Sequence, residues 1–102
     1  MTAPYIGVHP QKGGRWSIRI KPPGWRKFLY FGEPHQRRHF EDPERAARIR
    51  DAIERLFSRH RSVESKYNDV GPLPEDVTRV DLMKMFANHP KVTVAMMERW
   101  FN

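Results

Sequence analysis

Arg15-Trp16-Ser17-Ile18-Arg19-Ile20-Lys21 alternates strictly between apolar and polar side chains. A period of two belongs to a strand with one buried face. Trp16, Ile18 and Ile20 are therefore expected to face a core, and Arg15, Ser17, Arg19 and Lys21 to face away from it. Upstream, Tyr5-Ile6-Gly7-Val8 reads as a short first strand, with residues 10–14 as a turn rich in Pro and Gly. Downstream, Pro22-Pro23-Gly24 reads as a hairpin loop, followed by a third strand over residues 25–31. With Leu29 and Phe31 joining the core, Arg26, Phe28 and Tyr30 share the outer face.

A polar connection over residues 32–39 leads to Asp42-Pro43, a strong helix start. The Asp42 side chain suits the free amides of the first turn, Pro43 fits its first position and Glu44 suits the helix dipole. Apolar residues follow at 46, 49, 53, 56 and 57, a stripe at helical spacing. Arg45, Arg48, Arg55 and Arg59, with Asp51 and Glu54 among them, are expected on the solvated face, with weak pairs from Asp51 to Arg48 and Arg55. The spacing predicts a helix over residues 43–61, extending toward Tyr67. The fold class is α+β: a three-stranded antiparallel sheet packed on one α-helix, spanning residues 1–67.

Residues 68–74 read as a linker. Residues 75–102 read as a small C-terminal helical appendage of two helices, over 75–88 and 93–101, broken at Pro90. The first offers Val77, Val80, Met83, Phe86 and Ala87 to a partner. The second is apolar nearly all round, which predicts packing on the first unit or a homodimer through Met96, Met97, Trp100 and Phe101.

The chain has 102 residues, 38% of them hydrophobic, and a formal net charge of +7. That charge is uneven. Residues 1–40 carry eight Lys or Arg against one acid, Glu33, whereas residues 41–102 carry eleven of each sign. A localised cationic excess points to a polyanionic partner. The apolar runs are too short to cross a bilayer, and Met1-Thr2-Ala3-Pro4 lacks the features of a signal peptide. The expected location is the cytoplasm, or the nucleoid or nucleus. The absence of cysteine removes disulfides, thiol catalysis and cysteine-ligated zinc. His35 and His39 are four apart, but Pro34 argues against the helix that a metal-binding pair of that spacing needs. No catalytic triad, carboxylate pair or phosphate loop stands at usable spacing. We expect no enzyme activity, no cofactor and no metal.

Four segments, in order, resemble the plant ethylene-response-factor (APETALA-type) DNA-binding domain, which has relatives in phage and bacterial mobile elements. They are Tyr5-Ile6-Gly7-Val8, Gly14-Arg15-Trp16 with its alternating strand, Tyr30-Phe31-Gly32, and Phe40-Glu41-Asp42-Pro43-Glu44-Arg45-Ala46-Ala47 leading to Asp51-Ala52. The resemblance covers residues 5 to about 57. It implies a sheet docked in a DNA major groove, with contacts from Arg15, Ser17, Arg19, Lys21, Arg26 and Tyr30. The pattern departs from the family where Ile6 replaces a first-strand arginine, where a second falls at His9, and where Arg19 replaces a glutamate. The longer connection adds Arg37 and Arg38. The small arm-binding domain of tyrosine-type phage integrases has a similar layout.

The expected function is double-stranded DNA binding by a small regulator or mobile-element accessory factor. The contact set is Arg15, Ser17, Arg19, Lys21, Arg26 and Tyr30, with His9, Lys12, Arg37 and Arg38 at its edges. Two other readings are a protein-binding module or phage-encoded inhibitor that uses the basic face on an acidic partner, and an RNA- or ribosome-associated protein.

Overall fold

In a computed structural model of the chain, which describes residues 4–102, the central strand is β2 (Arg15–Ile20), with β1 (Val8–Gln11) and β3 (Leu29–Phe31) antiparallel on either side. Helix α1 (Pro43–Phe57) is followed by a 3-10 turn (Ser58–His60), α2 (Arg79–Ala87) and α3 (Val94–Phe101). The fold is α+β, as the alternation predicted.

The inner face of β2 is sealed: Ile18 and Ile20 are buried beside Trp16 and Leu29, and α1 lays Ala46, Ile49, Ile53 and Phe57 against them. Asp42 caps α1 by accepting from the Glu44 amide at 2.9 Å. The helix ends at Phe57, short of the expected residue 61, because the chain tightens into the 3-10 turn there.

The first strand lies three residues later than expected. Val8 pairs with Ile18, His9 with Ser17, Pro10 with Trp16 and Gln11 with Arg15. Pro10 is tolerated because β1 is an edge strand and needs no donor on its open side. Gly13 and Gly14 both take left-handed backbone (φ +76° and +72°), which lets the chain reverse after it. The third strand starts late because Trp25 turns inward to pack edge-on against Trp100, at 6.0 Å between ring centroids.

One open choice narrows and two further expectations are corrected. First, Trp100 and Phe101, offered to a partner in one reading of the sequence, are buried within the chain at 1% and 2% exposure, as the alternative reading of packing on the first unit expects. They close an aromatic cluster with Phe57 and Phe86, with centroids 5.4 to 6.1 Å apart. Phe31 joins it through Phe86 at 4.6 Å. Met96 and Met97 are half-buried against the same core. The C-terminal helices thus complete one hydrophobic core with residues of the sheet and α1.

Second, α2 starts at Arg79 rather than Glu75. Thr78 and Asp81 form a reciprocal capping box there, Thr78 Oγ1 accepting from the Asp81 amide and Asp81 accepting from the Thr78 amide. The helix buries Leu82 and Phe86, one turn apart, and leaves Val80 56% exposed.

Third, Asp51 and Glu54 are buried rather than solvated. Asp51 is bound at one oxygen by Arg50 (3.1 Å) and the Asn68 side-chain amide (3.1 Å). Its other oxygen accepts from the backbone amides of Asn68 and Asp69, both at 2.9 Å. The same Asn68 side chain exchanges hydrogen bonds with the Ile6 backbone. The segment read as a linker is therefore a clamp between α1 and the start of β1. Glu54 pairs with Arg61 at 2.9 Å, and Arg55 pairs with Asp69 rather than Asp51. Among the described residues, no helix is long and apolar enough to cross a membrane.

Candidate nucleic-acid interface

The face of the sheet turned away from α1 carries His9 and Gln11 from β1, Arg15, Ser17 and Arg19 from β2, and Tyr30 from β3. Lys21 and Phe28 continue it past the ends of β2 and β3. Helices α2 and α3 pack on the opposite side, against Phe57 and Phe31, and leave this face uncovered.

Ser17 is the exception among the residues expected there. It points outward but is 1% exposed. The Gln11 amide donates to its hydroxyl at 2.9 Å. The rings of His9 and Tyr30, on the two outer strands, meet edge to face at 5.5 Å across the central strand. A small residue at the centre leaves room for larger neighbours to close over it, so Ser17 supports the surface without reaching a ligand. Gln11 takes its place on the open side, which the misplaced first strand had concealed.

Arg19 and Lys21 share Phe28. The Arg19 guanidinium carbon lies 4.0 Å from the ring centroid and the Lys21 ammonium 4.9 Å. Phe28 stands at the position facing Lys21 when the β2–β3 register is extended by one residue. Such contacts are worth about 0.5–1 kcal/mol each at exposed sites. Their larger effect is to order two long side chains before any ligand arrives, which lowers the entropy cost of binding. Arg26 is exposed in the loop before β3, and Lys12 is exposed in the β1–β2 turn.

Arg37 and Arg38 lie on an excursion from the sheet edge. Phe31 pairs with Ile18, and Phe40 pairs with Trp16, so two steps along β2 are matched by nine along the other chain. The excursion is closed at its base, where the Glu33 amide donates to the Arg38 carbonyl at 2.8 Å. A Cβ at residue 32 would stand 2.2 Å from that carbonyl oxygen, so only Gly32 fits. Helix α2 and its N-terminal approach hold the far side. Arg45 bridges Glu33 (3.0 Å) and Asp76 (2.8 Å), and His35 Nε2 meets the Asp76 carbonyl at 2.7 Å. The tip presents exposed Arg37, Arg38 and His39 beside Arg15, around a cleft of about 620 Å³.

This anchoring responds to pH. The Arg45 guanidinium holds the Asp76 carboxyl below the usual carboxylate range, and the Thr78 backbone amide does the same for Asp81. A carboxyl with a depressed folded pKa adds stability above its unfolded pKa, and that stability is lost as pH falls through the folded value. Urea midpoints are thus expected to fall from about pH 4 downward. Asp76→Asn and Asp81→Asn should each flatten that decline; unchanged pH profiles in both variants would remove these carboxyls from the account.

The close ion pairs are concentrated on and beside α1. Arg45, Arg48, Arg50, Arg55 and Arg61 each meet a carboxylate at 2.7 to 3.1 Å. Among the described residues, Lys12, Arg19, Lys21, Arg26 and Arg37 have no carboxylate within 4.0 Å. Residues 41–102 hold as many acids as bases, although Arg59, Lys66, Arg79, Lys84, Lys91 and Arg99 also have no carboxylate within 4.0 Å among the described residues, and the net cationic excess stays with residues 1–40. No protein-family model, curated protein or solved structure matches this chain.

Proposed function

We propose that this protein binds double-stranded DNA by lowering the open, cationic face of its sheet into the major groove, as a small regulator or mobile-element accessory factor. The observation that carries this reading is the charge asymmetry: residues 1–40 carry eight Lys or Arg against one acid, and Arg19, Lys21, Arg26 and Lys12 there have no carboxylate partner among the described residues, whereas every arginine of α1 has one. A three-stranded sheet of short strands suits a groove about 12 Å wide. Lys21, Arg26 and Lys12 reach phosphates, and Arg19 has the donor geometry to read a guanine edge. The segments that resemble the ethylene-response-factor type of domain point the same way.

Unpaired RNA is the competitor, because Tyr30 and Phe28 stand among the cations, 48% and 40% exposed. Arg19 lies over the Phe28 ring and the His9 ring meets Tyr30, so these aromatics are already engaged by the protein. A surface of that kind favours a duplex over bases that need open stacking platforms. Fluorescence anisotropy with random duplex DNA, single strands and structured RNA, across salt, tests the choice. With about five phosphates contacted, log affinity for duplex should fall against log salt with a slope of about −4 to −5. A slope near −1, or stronger binding to single strands, overturns the reading. Binding to neither, with capture of an acidic protein, would transfer the face to a protein partner.

A further inference from the structure

Two of the outward arginines converge on a single internal anion. Arg15 Nη1 lies 3.4 Å from Glu41 Oε1, and Arg38 Nη1 lies 3.7 Å from the same oxygen. The convergence follows from the backbone. Trp16 and Phe40 exchange both hydrogen bonds, at 2.8 and 2.7 Å, so Arg15 and Glu41 are the next facing pair on the two strands. Arg38 comes round three residues earlier on the excursion. Glu41 itself is held between two anchors, the buried Phe40 and the Asp42 helix cap.

These are the loosest arginine–carboxylate pairs among the described residues; the others close to between 2.7 and 3.1 Å. Neither is a hydrogen bond, and all three side chains are substantially exposed, at 41%, 47% and 63% for Arg15, Arg38 and Glu41. A charge-assisted bond between these groups would be about 2.7–2.9 Å long. The carboxylate therefore keeps two guanidinium groups aimed at one point without satisfying them. Both arginines line the cleft that Arg37 and His39 also rim. The remaining carboxylate there, Glu33, is already bound to Arg45.

We propose that Arg15 and Arg38 form a phosphate seat at the end of the sheet, and that Glu41 occupies it as an internal stand-in until a phosphate of the duplex backbone displaces it. This rests on the DNA-binding reading and adds to it a built-in competitor. A backbone phosphodiester carries the same single charge as the carboxylate, but it is not tethered at a distance that leaves both contacts long, so its two non-bridging oxygens can close on the two guanidinium groups that already converge there. Glu41 then sets the affinity of the free protein below what the basic face alone would give, and keeps the two arginines ordered meanwhile.

The test uses the full chain with a 20-base-pair random duplex across salt, and separately with inorganic pyrophosphate followed through the arginine Nε–Hε resonances. Glu41→Gln should tighten duplex binding about threefold to fivefold. Arg15→Ala and Arg38→Ala should each lower the magnitude of the salt slope by about 0.9. The gain from Glu41→Gln should vanish when Arg15 and Arg38 are both alanine, since the cycle isolates their coupling. Glu98→Gln, on α3, reports the effect of removing any one negative charge. A Glu41→Gln gain no larger than that of Glu98→Gln, or one that survives loss of both arginines, overturns the seat. Duplex binding that depends on Arg19 and Lys21 but ignores Glu41, Arg15 and Arg38 also overturns the seat and leaves the DNA reading intact. If no variant binds duplex, yet pyrophosphate shifts Arg15 and Arg38 more strongly in Glu41→Gln, the seat stands and the duplex reading falls.

Discussion

Replacing Asp51 with alanine is expected to lower the free energy of unfolding by about 3–5 kcal/mol, the usual cost of stripping one partner from a buried ion pair. A domain of this size has about 5–15 kcal/mol in total, so the substitution removes between about a fifth and all of it. The side chain is fully buried, and its two oxygens accept from Arg50, from the Asn68 side chain and from two backbone amides. Without it, Arg50 remains 8% exposed with no counter-charge, and residues 68 and 69 lose the acceptor that ties them to α1. The damage spreads, because Asn68 also holds the Ile6 backbone at the approach to β1. Asp51→Asn keeps the shape and one acceptor oxygen, so it should cost less. Urea denaturation followed by tryptophan fluorescence measures both. A loss under about 1 kcal/mol for Asp51→Ala would show that the clamp closes without its carboxylate.

The second large effect concerns binding. Arg19→Glu with Lys21→Glu should weaken duplex binding by about two to three orders of magnitude, since each lost base or phosphate contact costs about 1–3 kcal/mol and reversal adds repulsion. Thermal stability should change little. Both side chains lie on the outer face, Arg19 half-buried and Lys21 exposed, and neither has a carboxylate partner among the described residues. The matched control is Lys91→Glu with Arg99→Glu, exposed positions just before and within α3. It alters the net charge by the same amount. With screening over about 8 Å at physiological salt, the control should lose less than tenfold. Equal losses in the two variants would mean that bulk charge, rather than the sheet face, holds the DNA. Selective loss in the first pair places the contact on the surface that Phe28 organises.

The alternation at residues 15–21 carried much of the fold because a strand's facing depends only on neighbours two apart. Trp16, Ile18 and Ile20 are buried as that spacing predicts, and the Asp42-Pro43 start and the stripe to Phe57 are local signals of the same kind. The first strand was misplaced because Tyr5-Ile6-Gly7-Val8 is the more apolar run, whereas pairing to β2 chose Val8–Gln11 despite Pro10. On the candidate interface, Arg15, Arg19, Lys21 and Tyr30 were legible from parity alone. Ser17 shares that parity and is covered nonetheless, because its exposure depends on His9 and Tyr30 meeting above it.

Sequence by itself thus determined which residues of the central strand face inward, where α1 begins, and that the cationic excess lies in the first forty residues. These properties are written in short-range spacing and in counts. Tertiary structure alone decided that Trp100 and Phe101 belong to the core, that Asp51 is a buried clamp, and that Glu41 faces Arg15 and Arg38. Each of these depends on which distant group comes within a few ångströms. A carboxylate reads the same in the chain whether it will be solvated, buried or set against an arginine, and only the folded path of the backbone distinguishes the three.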